Sequence, residues 1–255
     1  MKATALFILL TAVRDRLFPA IIALIVLITG ITLALSETAM IEEHAMHVAM
    51  SAGVTRIVLV MGVMLFVCFH IRAMFDQKEM DVILSRPVSR TQLVLGLWLG
   101  FAAVAAMLVC AEMVVLLVVG VPSLLSLLVW SASVGWECLL VIAIAMFASL
   151  SNKSAVSSVL ISLTFYTLGR LMAFFVATAN ARRVFETPLL HDALRYLVEA
   201  LSVLMPRLDL FADSAWLVYG VAPYHEHIML AAIQTVIFIP FLLGLTLIDV
   251  HRKQF

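Results

Sequence analysis

LVLGLWLGFAAVAAMLVCAEMVVLLVVGVPSLLSLLVWSASVGWECLLVIAIAMFASL, residues 93–150, holds two carboxylates, Glu112 and Glu137, and no basic residue. A helix needs roughly 20 apolar residues to cross a hydrocarbon core of about 30 Å. The stretch therefore reads as two spans, 93–120 and 124–150, folded back on each other at Pro122-Ser123. Both are long enough to tilt or to project from a bilayer. Neither shows the alternation of barrel strands, and backbone polar groups in lipid must be satisfied internally, so both are helices.

Four more runs of the same kind flank this pair, at 17–35, 54–73, 155–178 and 228–248. The second is bounded by Arg56 and Arg72, which can snorkel to opposite interfaces. Composition agrees with a membrane protein: of 255 residues 64% are hydrophobic and 13% charged, about half the charged share of a soluble domain. Lys+Arg and Asp+Glu are both 16, which excludes a basic nucleic-acid-binding surface, and disorder is excluded as well. Cys68, Cys110 and Cys138 lie inside apolar stretches, with no disulfide framework or zinc spacing. The expected fold is an all-α integral membrane protein of six transmembrane helices, residues 17–255, preceded by an interfacial helix at 1–16.

Six spans put both termini on one side. That side receives Lys2, Arg14, Arg16, Arg72, Lys78, Arg86, Arg90, Lys153, Arg252 and Lys253; the other receives Arg56, Arg182, Arg183, Arg195 and Arg207. The excess places the termini in the cytoplasm by the positive-inside rule. Arg14-Asp15-Arg16 follows a short apolar run with no cleavage site, so the mature chain is expected to begin near Met1.

Outside the spans, residues 1–16 set Leu6, Leu9, Leu10 and Val13 against Thr4, Thr11 and Asp15, the pattern of an amphipathic helix in the inner interface. The first outer loop, 36–55, is acidic, with Glu37, Glu42 and Glu43. The long outer connection, 179–227, carries Leu190, Leu194, Leu197, Val198 and Leu201 at helical spacing, which predicts an outer amphipathic helix. No internal repeat is evident.

Chemistry inside the spans is sparse. Glu112, Glu137 and Arg170 are the ionisable residues there, and each should face protein, water or an opposite charge. Glu112 and Arg170 each lie eight residues before the outer end of their runs, so both sit roughly 12 Å deep and can pair; Glu137, roughly 20 Å deep, is expected to lie too deep to join them. A structural bridge is preferred for the pair over a polar patch on a translocation path. For Glu137 both readings stay open.

No catalytic, metal or cofactor site is expected. His44 and His47, like His225 and His227, lack the HExxH spacing and read as outer-loop polar residues. Glu42-Glu43 begins like the paired glutamates of membrane-embedded prenyl-protein proteases, but His47 stands where their arginine would be. None of Lys2, Lys78, Lys153 and Lys253 follows a glycine, so the chain has no Walker A loop.

The densest charged segment is FDQKEMDVILSRPVSRTQLVLG, residues 75–96. Residues 76–84 can form a short helix with Met80, Ile83 and Leu84 on one side, ended by Pro87. Docking of a cytoplasmic partner and a merely solvated basic loop are both open on physical grounds alone. The segment resembles that of permease subunits of the type-2 exporter class of ABC transporters, which carry an acidic stretch, then Leu-Leu-Ser-(Lys/Arg)-Pro-(Val/Ile)-Ser-Arg, then Leu-Gly. Here the run is Ile83-Leu84-Ser85-Arg86-Pro87-Val88-Ser89-Arg90, with Leu95-Gly96 after it. Arg14-Asp15-Arg16, Leu204-Met205-Pro206-Arg207-Leu208 and the basic C-terminal residues also resemble the family. Leu97 and Arg207 depart from it, standing where lysine and asparagine are usual.

The resemblance implies a complex of two permeases, identical or homologous, with two ABC ATPase subunits that hold ATP and Mg. It makes 76–84 a coupling helix, with Asp76, Lys78, Glu79, Asp81, Leu84, Arg86 and Arg90 at the contact and Lys153 in a smaller contact at 151–154. The N-terminal helix would flank the ATPase. The expected activity is export of a lipid-like or amphipathic substrate across a bacterial inner membrane. The alternative is an ATPase-coupled scaffold acting on a periplasmic partner, since some relatives serve metalloenzyme maturation or gliding. An intramembrane enzyme would need a second catalytic group at the depth of Glu137.

Overall fold

The computed structural model describes residues 2–14, 16–36, 43–79, 89–180 and 188–252. Its helices are α1 (Lys2–Arg14), α2 (Leu17–Ser36), α3 (Glu43–Asp76), α4 (Arg90–Val119), α5 (Leu124–Ser151), α6 (Ala155–Asn180), α7 (Pro188–Leu204), the short α8 (Ala215–Tyr219) and α9 (His225–Arg252). Single 3-10 turns lie at Leu208–Leu210 and Ala222–Tyr224. Six of these helices, α2 to α6 and α9, are long and apolar enough to cross a membrane. The chain is a multi-pass membrane protein.

Local sequence explains where the helices stop. Ser89 caps α4 in a reciprocal box with Gln92: the Gln92 amide donates to Ser89 Oγ at 3.2 Å, and the Ser89 amide to Gln92 Oε1 at 3.4 Å. Gly120 ends α4 in the left-handed region at φ 92°, where a β-carbon would be strained, and its amide donates back to Leu116 and Leu117. Ser123 then caps α5, its Oγ accepting from the Ser126 amide at 3.3 Å. Pro19 lies in the first turn of α2, where its missing N–H is tolerated; Pro240 lies inside α9, as transmembrane helices allow.

α5 is the axis of the bundle. It packs against α3, α4, α6 and α9, and Trp130, Val134, Cys138 and Met146 along it are fully buried. α2 covers α3 and α1 lies against α4. The outward faces are apolar instead: Val26, Leu27 and Ile31 on α2, Val236 and Ile237 on α9, and Phe174 on α6 are all exposed. A surface of that kind suits hydrocarbon rather than water.

Two expectations need correction. The second span begins at Glu43, not near residue 54, so His44 and His47 sit on a helix rather than in a loop. Arg56 is consequently not at an interface: it lies thirteen residues into α3, roughly 20 Å from its outer end, and is only 6% exposed. On α1 the buried face is Ile8 and Ala12, while Leu6 and Leu10 are exposed.

Candidate functional site

The site grows from a stretch of chain that is mostly not α-helical. After α7 the chain turns back into the bundle, and Met205, Leu208, Phe211, Ala212, Trp216 and Leu217 are all buried. Buried backbone without its own helix needs outside donors. Arg56 on α3 supplies Nη1 to Phe211 O at 3.1 Å and to Ala212 O. Arg170 on α6 supplies Nη1 to Leu208 O and, at 3.2 Å, to Phe211 O. Trp130 Nε1 on α5 donates to Ala212 O at 3.1 Å, and the Ala212 amide donates to Ser133 Oγ at 3.0 Å. Ala212 adopts φ 46°, a left-handed conformation of order 1–3 kcal/mol in cost, held by these bonds.

Gly169 lets α6 approach this segment. A β-carbon there would stand 2.7 Å from Pro206 O, a backbone atom with nowhere to go. At Gly62 a β-carbon would meet the Ile21 side chain at 2.8 Å, which can rotate aside. Gly169→Ala is therefore expected to lower the thermal midpoint clearly, by about 1–3 kcal/mol of overpacking, and Gly62→Ala by less. Paired melts of the two variants check the order.

Glu137 on α5 lies beneath the segment, fully buried. Its Oε2 is 3.7 Å from Arg56 Nε and its Oε1 is 3.7 Å from Arg170 Nη1, contacts of charge rather than hydrogen bonds. Tyr166 Oη donates to Oε1 at 3.2 Å. One carboxylate thus sits between two guanidinium groups that also hold the returning backbone.

This overturns the expected Glu112–Arg170 pair: Arg170 faces Glu137. The depth count placed the outer end of the fifth span at residue 178, whereas α6 continues to Asn180. Measured from the helix ends, Arg170 lies roughly 15 Å deep and Glu137 roughly 20 Å, a gap that an arginine stem bridges.

Glu112 is 1% exposed, and neither carboxyl oxygen has a hydrogen-bond partner among the described residues. Thr55 lies beside it but donates to Ser51 O at 2.6 Å. A buried polar group without a partner is a net cost. Glu112→Leu is expected to fold at least as stably as the parent chain, by thermal melt; activity lost at full stability would mark Glu112 as functional.

At the opposite end, Arg72 on α3 donates from Nε to Asp76 Oδ2 at 3.1 Å and from Nη1 to Lys153 O, in the turn between α5 and α6. Ser151 Oγ donates to Asp249 Oδ2 at 3.1 Å, and Arg90 Nη1 to Val250 O at 2.5 Å near the end of α9. Asp76, Lys153 and Arg90 are thereby gathered at one end of the bundle. Asp76 closes α3 and the chain turns at Gln77 and Lys78, the latter at φ 56°, so the expected coupling helix does not start at Asp76. Glu79 follows the turn; Asp81, Leu84 and Arg86 lie outside the described residues.

His44 Nε2 donates to Gly120 O at 3.0 Å, and His47 is buried. On α7, Val198 is buried while Leu197 and Leu201 are exposed, and the side chains of Leu190 and Leu194 lie outside those described. Among the described residues no group of three His, Cys, Asp or Glu side chains is placed to hold a metal. A cavity of 240 Å³ opens on Arg56 and Arg170, and a neighbouring one of 340 Å³ shares Asp213 and Ser214 with it. Sequence reading missed Arg56, Tyr166, Trp130 and Ser133. The available signal was Ala45, Ala49 and Gly53, a helically spaced row of small residues leading to Arg56. Compared with known protein-family models and with curated proteins, the chain matches none.

Proposed function

We propose that the chain is the transmembrane subunit of an ATP-driven exporter of the type-2 ABC class. It lies in a bacterial inner membrane with both termini cytoplasmic, pairs with a second permease, and receives two ATPase subunits that hold ATP and Mg. α1 lies at the inner interface and α7 at the outer one. The substrate is a lipid-like or amphipathic molecule.

One observation supports this reading above the others. α3 runs unbroken for 34 residues from Glu43 to Asp76. At its inner end Arg72 ties Asp76 to the Lys153 turn, so the two segments facing the ATPase move with the helix. Arg56, sixteen residues and roughly 24 Å further along, holds Phe211 and Ala212. A rigid helix that touches both the coupling segment and the outer plug is what a lever requires. ATP-driven closure displaces residues 76–90, α3 shifts, and Arg56 carries residues 205–212 from one arrangement to another. The lever works only if ATP binds one arrangement more tightly than the other.

The scaffold reading keeps one argument of its own: Leu208, Phe211, Ala212, Trp216 and Leu217 are buried in the bundle, and the polar cavity beside them is small, at 240 Å³. A partner gripping that plug from the periplasm would use the same lever without moving a solute.

Cross-linking tests the coupling face. A cysteine at position 78 (Lys78→Cys), labelled with a maleimide-benzophenone reagent and irradiated in inside-out vesicles, is expected to give an adduct containing a Walker A protein. An adduct with the chain alone, or with outer-face proteins, would overturn the proposal.

A further inference from the structure

Two adjoining outer cavities lie along one face of α3. The upper, 340 Å³, is lined by Ala45, Met46 and Ala49; the lower, 240 Å³, by Gly53 and Arg56, and residues Asp213 and Ser214 border both. Alanine and glycine at 45, 49 and 53 keep that face low and leave room for the lower cavity. It reaches Arg56, itself more than nine-tenths buried, and Arg170.

The donors of these arginines are only partly used. Each spends Nη1 on carbonyls of the returning segment. Arg56 Nε faces Glu137 at 3.7 Å without a hydrogen bond. Neither Nη2 group, nor Arg170 Nε, hydrogen-bonds any of the described residues. Two guanidinium groups face a single carboxylate in direct contact, Glu137, and Glu112 does not line the cavity. Planar N–H forks of this kind select carboxylate or phosphate oxygens.

The mouth carries the opposite charge. Asp209 is already held by Arg207 at 2.8 Å. Asp213 is exposed, accepts the Ala215 amide at 2.9 Å through Oδ1, and makes no ion pair among the described residues. A plain dianion would meet Asp213 unfavourably; an ammonium would not. The volume, below the usual range for drug-sized ligands, suits a headgroup.

We propose that this outer cavity binds a zwitterionic group, with its oxyanion end on Arg56 and Arg170 and its ammonium end on Asp213. A phosphoethanolamine headgroup and a free α-amino acid share that chemistry. The site stands on the cavity alone and does not depend on the chain being a permease.

Calorimetry on the full chain in detergent tests it, with O-phosphoethanolamine, glycine, inorganic phosphate and ethanolamine as probes. At least one zwitterion is expected to bind more tightly than phosphate or ethanolamine. Asp213→Asn is expected to weaken the zwitterion about tenfold while phosphate binds more tightly, and Arg170→Gln to weaken both. If Arg170→Gln does not fold, Gly53→Leu still decides: a β-carbon there meets nothing within 4 Å, leucine favours helix, and its side chain fills the cavity, so all binding should vanish. Binding of O-phosphoethanolamine with phosphatidylethanolamine retained in native mass spectra assigns a lipid headgroup; binding of glycine alone assigns an amino acid. No zwitterion binding, phosphate binding as tightly, or unchanged binding in Gly53→Leu and Asp213→Asn overturns the proposal.

Discussion

Replacing Glu137 with alanine is expected to cost most of the folded protein. The carboxylate stands 3.7 Å from both Arg56 and Arg170, and its removal leaves the buried Arg56 and the partly buried Arg170 facing one vacated space. The Tyr166 hydroxyl loses its acceptor at the same time. Breaking a buried ion pair by deleting one partner costs about 3–5 kcal/mol, and here two pairs share the deleted group. Whole domains are stable by only about 5–15 kcal/mol, so the loss is a large fraction of the total. Glu137→Gln keeps the shape and an oxygen for Tyr166 while surrendering the charge, and should fall between. Monodisperse yield after detergent extraction and the thermal midpoint read the series. Equal midpoints for Glu137→Ala and the parent would show that the two arginines are compensated elsewhere.

Arg56→Ala should be less costly in charge and more damaging to one segment. It leaves Arg170 and Glu137 as a one-to-one pair, but it strips one of two donors from each of Phe211 O and Ala212 O. Each carbonyl keeps one donor, and a lost hydrogen bond to a charged donor costs about 1.5–3 kcal/mol, so the expected ranking puts this variant between the parent and Glu137→Ala. The damage should be local. Amide hydrogen exchange at residues 208–214 is expected to rise at least about tenfold while α5 stays protected. Arg56→Lys keeps the charge without the planar fork and should recover only part of the protection. Uniform exchange across the bundle would mean that Arg56 supports the whole fold and not the returning segment.

The six long helices were legible because crossing hydrocarbon is a demand on length and polarity. Residues 17–35 and 124–150 meet it without a charge other than Glu137. The start of α3 was not legible, since residues 43–55 mix histidine, serine, threonine and glycine with alanine and read as a loop. That error of about three turns moved Arg56 from the middle of a helix to an interface. Arg170 and Glu137 were identified as charges within the spans, but their partnership was not, because it depends on residues 205–212 folding back from a segment of no clear periodicity. Ala212 at φ 46° has no sequence signal at all. The inner cluster is a different case: Arg72, Arg90 and Lys153 were legible as same-side charges, but their links to Lys153 O and Val250 O join helices distant in sequence.

The claim that organises these observations is that α3 transmits the work of a separate ATPase. Purifying the chain from its native membranes in a mild detergent, and identifying by mass spectrometry what travels with it, tests that claim most directly. The account predicts a stoichiometric Walker A protein that is lost when Glu79 and Asp81 are both reversed to lysine. A chain that purifies without any nucleotide-binding partner would contradict it.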